Sequence, residues 1–159
     1  MEKIVLIGAG GHGAVIKELL DEHSSNIVCF IDANYSINEC LGVNVIHEES
    51  ELVDDVSLAF VISVGSNQIR KKIANQQSRQ YINAIHPSSV ISKSLALGVG
   101  NAFMAGVCIN ARTKIGNHCI VNTNATVDHD CVLEDFVHVS PGAQSVSYTH
   151  LTLPTILRV

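Results

Sequence analysis

A glycine-rich segment near the start of the chain has the residue types and the spacing of a phosphate-binding turn. Residues 8–13 read GAGGHG and follow the short apolar run Lys3–Ile7, and Asp32 comes about 20 residues later. This pattern matches the GxGxxG fingerprint of dinucleotide-binding proteins. Glycines let the backbone approach a pyrophosphate, and the following helix supplies N–H donors and the positive end of its dipole. Because none of this requires nicotinamide, the pattern predicts a nucleotide site without specifying the nucleotide.

A second candidate turn, Gly-Ser-Asn at residues 65–67, follows the apolar segment 58–64. In open α/β sheets, ligands bind in the loops at the carboxyl ends of the strands. The turn is therefore a candidate ligand loop. An ordinary strand-to-helix turn with a helix N-cap is the alternative.

The elements that must position these turns follow a βαβ plan. The sequence predicts strands over Lys3–Ile7, 27–31 and 58–64, and helices over 12–23 and 67–80. This is about half of a complete dinucleotide-binding fold. The absence of a second mononucleotide half from this plan disfavours an NAD-dependent enzyme. That class, or another nucleotide-binding module without acyl transfer, stays open as the alternative.

From Ile85 onwards the sequence repeats every six residues. The positions at this spacing are all apolar: Ile85, Ile91, Leu97, Phe103, Ile109, Ile115, Val121, Val127, Leu133 and Val139. In a chain with about half its residues apolar, such a run has odds on the order of one in a thousand. A six-residue repeat is typical of a parallel β-helix, whose coils must stack to bury their apolar positions. We therefore predict an α/β Rossmann-like half-domain over 1–80, followed by a β-helix over 81–144.

Composition narrows the possible partners. The formal net charge is -5 and no basic block is present, which argues against nucleic-acid binding because phosphate neutralisation needs clustered Lys and Arg. No apolar run reaches the roughly 18 residues of a membrane-spanning helix. The five cysteines have no CxxC or metal-type spacing. We therefore expect reduced thiols, no bound metal and a cytoplasmic location.

Four segments together resemble one group of enzymes. They are GAGGHG at 8–13, VGSNQIRKK at 64–72, IHPSSVIS at 85–92, and INARTKIGNHCIVNTNATVDHDCVLEDFVHVSPGA at 109–143. The chain resembles the bacterial sugar O- and N-acyltransferases over residues 1–144. This hexapeptide-repeat group includes sialic acid O-acetyltransferases and UDP-4-amino-sugar N-acetyltransferases. The resemblance implies a left-handed β-helix, a homotrimer, and acetyl transfer from acetyl-CoA to an amino or hydroxyl group of a nucleotide-activated sugar or sialic acid in glycan biosynthesis.

The resemblance also implies roles for three side chains of the repeat. His129, in VDHDC, matches the general base, and a neutral imidazole with a pKa of about 6.5 suits removal of a proton from an amine or hydroxyl. Asp130 matches the acid that orients this histidine, although Asp has a shorter arm than the Glu of the family. His138, in FVHVSPG, matches a histidine near the thioester of acetyl-CoA. Without the resemblance, a His-Asp pair on a turn would be read as a solvated surface feature.

The two turns are expected to hold the nucleotide sugar. The implied binding residues are Gly10, Gly11, His12 and Asp32 at the first turn and Gly65 and Asn67 at the second. For His12, the alternative is a polar residue tolerated in a turn. The sequence leaves open the sugar, the nucleotide, and whether an amine or a hydroxyl is acetylated.

The last residues, 145–159, do not continue the repeat by sequence. Ser145 is polar where the preceding positions are apolar, and the run VSYTHLTLPT looks like the translation of a sequencing-adapter oligonucleotide. We therefore predict that 145–159 is a non-native tail. A truncated β-helix exposes apolar interior and strand edges, so we expect this chain to bind CoA weakly and to be inactive.

Overall fold

The structure is a computed structural model that describes residues 3–52, 57–153 and 156–157. Its first part is a small parallel sheet with two helices. The elements are β1 (Lys3–Ile7), α1 (Gly11–Asp21), β2 (Asn26–Ile31), β3 (Glu39–Cys40), β4 (Val43–Ile46), a 3₁₀ turn (Glu49–Glu51), β5 (Leu58–Ile62) and α2 (Asn67–Gln76). The strand order is β3-β4-β2-β1-β5, and only the β3–β4 pairing is antiparallel. Central β1 is buried from Ile4 to Ile7, as its continuous apolar run predicts.

The second helix ends earlier than the sequence predicts. α2 stops at Gln76, and the backbone of Gln77 is extended. The helix gives way to extended chain because residues 80–82 return alongside β5. The Phe60 N–H donates to the Gln80 carbonyl, the Ile82 N–H donates to the Phe60 carbonyl, and Tyr81 forms a bridge with Phe60. The short β3–β4 hairpin is a further element that the sequence analysis did not predict.

The second part is a left-handed parallel β-helix, which confirms the predicted fold class. Its two-residue strands are β6 (Ala84–Ile85), β7 (Val90–Ile91), β8 (Ala96–Leu97), β9 (Ala102–Phe103), β10 (Cys108–Ile109), β11 (Lys114–Ile115), β12 (Ile120–Val121), β13 (Thr126–Val127), β14 (Val132–Leu133), β15 (His138–Val139), β16 (Gln144–Ser145), β17 (His150–Leu151) and β18 (Ile156–Leu157). Strands one coil apart pair in parallel, as Cys108 does with Thr126 and Ile109 with Val127. The three sides of the coil are the sheets β6-β9-β12-β15-β18, β7-β10-β13-β16 and β8-β11-β14-β17.

The predicted inward positions form the core of the β-helix. Phe103, Val121 and Val127 are fully buried, and the residues four positions after the repeat, such as Ala125 and Cys131, are enclosed with them. A second regularity marks the corners. Residues with positive φ recur every six positions: Gly100, Gly106, Arg112, His118, Asn124, Asp130, Phe136, Gly142 and Tyr148. Each corner from Gly100 to Tyr148 therefore has a left-handed residue that turns the chain from one side to the next.

The winding continues past residue 144, so the prediction that the repeat fails there is wrong. β16, β17 and β18 pair with β13, β14 and β15 in the same register. Ser145 occupies the inward position and is buried because its side chain is small, with its Oγ 3.7 Å from Sγ of Cys131. Leu151 restores an apolar residue one step later. That residues 145–159 are non-native stays a prediction.

The first side of the β-helix is covered by the α/β domain. Ala84, Ala102 and Ile120 point outward from the coil, yet they are buried in one cluster with Leu19 and Leu20 of α1. The two parts therefore share a core. In the part of the chain that the structure describes, no helix has the length and apolarity needed to cross a membrane.

Candidate active site

The glycine-rich turn is held in shape by Asp32. One carboxylate oxygen of Asp32 accepts from the Ala9 N–H at 2.7 Å, and the other accepts from the Asn34 N–H at 2.9 Å. The Gly8 N–H donates to the Ile31 carbonyl at 2.8 Å. Asp32 therefore orders the turn from the end of β2, in addition to any contact with a ligand.

The glycines of the turn divide into two kinds. A Cβ on Gly13 would lie 2.2 Å from the carbonyl oxygen of Gly8, so this glycine allows α1 to pack against the end of β1. A Cβ on Gly10 or Gly11 would meet nothing within 4 Å. Both are exposed at the start of α1, whose first N–H groups have no intrahelical partner. Gly10 and Gly11 are thus placed where an anion could approach the helix N-terminus.

A crevice of about 580 Å³ opens beside this turn. It lies at the carboxyl ends of β1, β2 and β5, where the chain crosses from one side of the sheet to the other, and α2 forms a wall through Ile69 and Ile73. Such switch points are the usual ligand sites of open α/β sheets. Asp32, Glu48 and Glu49 give the crevice carboxylates. It therefore suits an uncharged group with hydrogen-bond donors, such as a nucleoside, better than a phosphate.

The ring of His12 lies at the junction of the two domains. Its Nε2 is buried without a hydrogen-bond partner among the described residues. Burial, with smaller effects from the nearby His138 and Arg70, lowers the pKa of His12 from 6.5 to about 4. His12 is therefore neutral at pH 7, and as a neutral imidazole it can donate or accept a single hydrogen bond at the unpaired nitrogen.

His138 lies on the β-helix side of the same junction. Its Nε2 is 3.1 Å from Nδ2 of Asn122, and its ring hydrogen-bonds the backbone of Gly65. Burial and the charge of Arg70 lower the pKa of His138. The structure thus brings His12, Gly65 and His138 together. The predicted role of His138 beside a thioester stays a prediction.

The side chain of Asn67 lies inside the protein, whereas the sequence analysis expected it to contact the nucleotide sugar. Its side chain is buried, and its Oδ1 accepts from Nη2 of Arg70 at 3.0 Å. The neighbouring Ser66 is the N-cap of α2, accepting from the Ile69 N–H at 3.5 Å. The carboxamide oxygen of Asn67 is therefore engaged inside the protein, and its predicted substrate contact stays a prediction.

Arg70 is a buried residue that the sequence analysis missed. It is 1 % exposed, and its five N–H groups have five acceptors. Those acceptors are the carbonyls of His118, Val64, Gly65 and Phe136 and the side chain of Asn67, at 2.8–3.1 Å. Burial lowers the pKa of Arg70 to about 10, so it remains charged at neutral pH. The only sequence signal was its position one helical turn after Asn67.

His118, to which we assigned no role, packs beneath the same junction. It points outward from the coil but is buried between Tyr81 and Phe136, with ring centroids 4.5 Å and 5.3 Å away. Its Nδ1 has no partner among the described residues. Its contacts are those of a packing residue between the domains.

His129 and Asp130 lie together at a corner of the β-helix, between β13 and β14. Nδ1 of His129 is 2.7 Å from Oδ2 of Asp130. Arg112, one coil earlier, donates to both Asp130 oxygens, at 2.8 and 2.6 Å. These bonds, that of Arg112 first, lower the pKa of Asp130 to about 2. An ionised carboxylate only accepts, so Nδ1 of His129 donates this hydrogen bond, and in the neutral form of the ring Nε2 has the lone pair.

The Nε2 atom of His129 faces the next coil. It lies 3.1 Å from Oγ of Ser147, which donates to Oδ2 of Asp128 at 2.5 Å. Hydrogen bonds from Ser147, Asn110 and the His129 N–H lower the pKa of Asp128 to about 2. His129 itself is partly accessible, with 41 % of its side chain exposed. In its neutral form this imidazole presents the Nε2 lone pair at the partly exposed corner, where it can act as a base.

The corner that carries His129 is remote from the junction of the same chain. β13 and β14 belong to the two sides of the coil that do not pack on the α/β domain. Their common vertex is opposite the covered side. A single chain therefore presents two separate groups of candidate residues, one around His12 and His138 and one around His129.

A Rossmann-like half-domain that leads into a left-handed β-helix, with an oriented histidine on an outer corner, is the architecture expected of the hexapeptide-repeat acyltransferases. Residues 3–77 match the PglD N-terminal domain family. UDP-N-acetylbacillosamine N-acetyltransferase of Bacillus subtilis is 37 % identical over 115 residues, which are 66 % of this chain and 52 % of that protein. The chain thus spans about half the length of this curated relative.

Two solved structures are similar over most of the chain. The acetyltransferase domain of PglB from Neisseria gonorrhoeae, in complex with acetyl coenzyme A, is 36 % identical with a TM-score of 0.82, covering 90 % of this chain and 72 % of its own. A variant of perosamine N-acetyltransferase from Caulobacter crescentus, in complex with CoA and GDP-perosamine, is 34 % identical with a TM-score of 0.83, covering 93 % and 73 %. The chain belongs to the bacterial sugar acyltransferase family with a PglD-type N-terminal domain.

Proposed function

We propose that the protein transfers the acetyl group of acetyl-CoA to the amino group of a nucleotide-linked amino sugar for glycan biosynthesis. The observation that carries this proposal is the hydrogen bond from Nδ1 of His129 to Asp130, which leaves Nε2 at the partly exposed corner to act as the base. The similar proteins support the amine as acceptor, since two of the three named above are N-acetyltransferases by name. Their complexes with acetyl coenzyme A and CoA support the donor.

In the proposed reaction, Nε2 of His129 removes a proton from the sugar amine as its nitrogen attacks the thioester carbonyl carbon. A C–N bond forms and the carbonyl electrons move to oxygen, giving a tetrahedral intermediate. Its collapse breaks the C–S bond, and the imidazolium of His129 gives its proton to the leaving thiolate, which releases CoA and restores the base. The ionised Asp130 stabilises the imidazolium that forms in the first step.

The nucleotide is proposed to lie in the crevice at the ends of β1, β2 and β5. The open backbone at Gly10 and Gly11 supports a pyrophosphate at the start of α1. The carboxylates of Asp32 and Glu48 support a base or ribose deeper in the crevice, because both groups offer hydrogen-bond donors. His12 and Gly65 border the same junction.

The separation of the two groups of residues supports a homotrimer. Within one chain, His129 lies on the vertex opposite the covered side, whereas the nucleotide crevice lies in the α/β domain. A neighbouring copy that places its crevice against this vertex would complete the site. The protein is proposed to work in the cytoplasm, where its five cysteine thiols would stay reduced.

The test is an acetyl-transfer assay that follows free thiol release. Because residues 145–159 are predicted to be non-native, the assay uses a chimera in which they are replaced by the corresponding coils of the Caulobacter crescentus perosamine N-acetyltransferase. The chimera is offered acetyl-CoA with a UDP-4-amino sugar, a GDP-4-amino sugar or sialic acid. We expect thiol release with an amino sugar and a loss of about 10²-fold or more in kcat for His129→Ala. His86→Ala is the matched control, since His86 lies outside both groups of candidate residues. Turnover only with sialic acid would overturn the amine as acceptor, and full activity of His129→Ala would overturn the mechanism.

A further inference from the structure

Arg70 connects the two domains through backbone atoms that are far apart in the sequence. Its Nε donates to the carbonyl of His118, 48 residues away, and Nη2 donates to the carbonyl of Phe136, 66 residues away. Both acceptors are left-handed corners of the β-helix, on successive coils. The guanidinium therefore holds a fixed position against the stacked corners.

The other donors of Arg70 hold the turn that follows β5. Nη1 donates to the carbonyls of Val64 and Gly65 at 3.0 and 3.1 Å, and Nη2 also reaches Asn67. Gly65 in turn hydrogen-bonds the ring of His138. One side chain thus fixes the turn at 64–67 against the side of the β-helix that carries His138.

The chemistry of this contact is specific to arginine. Among the described residues, no carboxylate forms an ion pair with Arg70, and all of its acceptors are neutral oxygens. A lysine at this position could donate at most three hydrogen bonds from a single nitrogen, whereas five acceptors lie around the planar guanidinium. Loss of the side chain would leave buried carbonyl groups unpaired.

We propose that Arg70 is a positioning residue that fixes the nucleotide-side turn, residues 64–67, relative to the corners at His118 and Phe136. This inference rests on the proposed function, according to which the turn holds the nucleotide sugar. Arg70 would then set the position of the nucleotide sugar relative to the wall of the β-helix. Because Arg70 is buried and its donors are all engaged, it touches neither substrate. Its effect on the reaction is through the geometry of the turn.

The experiment compares Arg70→Met and Arg70→Lys with Lys72→Met, an exposed neighbour on the same helix. Amide hydrogen exchange measures the positioning without requiring activity. The His118 and Phe136 amides, which bond to Val99 and Asn117, are the reporters, and the amides of β1 and β13 report whether each domain is folded. For Arg70→Met we expect about tenfold faster exchange at the two corners with β1 and β13 unchanged, and a partial effect for Arg70→Lys.

Kinetics then separate positioning from folding. With the same substitutions in the chimera used for the acetyl-transfer assay, we expect kcat with the amino sugar to fall by about 10²-fold for Arg70→Met, with the KM for acetyl-CoA unchanged and partial recovery in Arg70→Lys. Unchanged corner exchange, or faster exchange with unchanged kcat, would overturn the proposal. If the chimera that keeps Arg70 transfers no acetyl group, the proposed function fails. The exchange data still decide whether Arg70 fixes the corners.

If Arg70→Met also speeds the exchange of the β1 or β13 amides, then Arg70→Lys, which keeps the charge, becomes the deciding variant. Faster exchange confined to the two corners in Arg70→Lys would support the proposal. Exchange in this variant equal to that of the unaltered protein would overturn it.

Discussion

Nδ1 of His129 lies 2.7 Å from Oδ2 of the next residue in the chain, Asp130. Consecutive side chains of a strand point to opposite faces, so neighbours in regular β-structure do not meet. Here the contact forms because Asp130 is a corner residue with a φ of 59°. The side chain of Asp130 is therefore long enough to reach His129, although it is shorter than the Glu of the family.

The first prediction concerns that contact. Asp130→Asn should lower kcat by about tenfold or more, since a carboxamide does not stabilise the imidazolium that forms on His129. Arg112→Gln should have little effect at pH 7. Arg112 is the main cause of the lowered pKa of Asp130, and without it the carboxyl returns toward its ordinary pKa of about 3.9 and stays ionised.

Steady-state kinetics of both variants at pH 7 test this. An equal fall in kcat in the two variants would show that Arg112 affects His129 by a route other than the charge of Asp130. Unchanged kcat in Asp130→Asn would remove Asp130 from the mechanism.

The second prediction concerns Ser147. Its Oγ lies 3.1 Å from Nε2 of His129, on the side where a substrate amine would have to approach. In a chimera that keeps Ser147, Ser147→Gly should therefore raise kcat/KM for the amino sugar several-fold by freeing the imidazole. Ser140→Gly, on the preceding coil, is the control. A lower kcat/KM for Ser147→Gly would mean that the hydroxyl assists the base instead of obstructing it.

The third prediction separates the glycines of the first turn. Gly13→Ala should destabilise the protein by about 1–3 kcal/mol, since its Cβ would overlap a backbone oxygen that cannot move freely. Gly10→Ala has open space and should leave stability within about 0.5 kcal/mol, while weakening nucleotide-sugar binding. Urea unfolding and calorimetric titration measure the two effects. An equal loss of stability in both variants would contradict the assignment of Gly13 to packing and of Gly10 to ligand binding.

The fourth prediction is a dependence of stability on pH. The pKa of His12 is about 4 in the folded protein and about 6.5 when unfolded, so between these values the unfolded state binds more protons. His12 therefore stabilises the fold above pH 6.5, and that stability is lost as the pH falls toward 4. At about 1.4 kcal/mol per pKa unit, the loss approaches about 3 kcal/mol.

Urea unfolding at pH 7.5 and pH 5 tests this with His12→Gln and, as control, His86→Gln. The control should lose as much stability as the unaltered protein, and His12→Gln should lose less. A residual loss is expected in His12→Gln because burial also lowers the pKa values of His118 and His138. An identical loss in both variants would show that His12 does not cause the effect.

Sequence alone predicted the parts of the fold that repeat. Inward residues such as Phe103 and Val127 recur at a fixed period, so each one supports the next, and the register of the coils follows from the interval. The β3–β4 hairpin was missed because its strands have two and four residues, too few to show alternation. Its available signal was the tight turn at Leu41 and Gly42, both with positive φ.

The residues of the candidate site also differ in whether the sequence could predict them. His129 and Asp130 could be found because their contact is local and follows from the corner. Arg70 could not, because its acceptors are main-chain carbonyls, which any residue type would supply, at distant points of the chain. No pattern of side chains records such a contact, and only the docking of the two domains creates it.

The return of every side chain to the same face after one coil limits how genes of this kind can change in length. Asp128 and Asn110, which hydrogen-bond across one coil, are 18 residues apart. An insertion or deletion of a full coil before the base would leave it on the same edge at a different height. Loss of a single hexad would carry the base to another edge, facing a different neighbour. Length variation upstream of His129 should therefore be tolerated in steps of one coil and rejected in smaller ones.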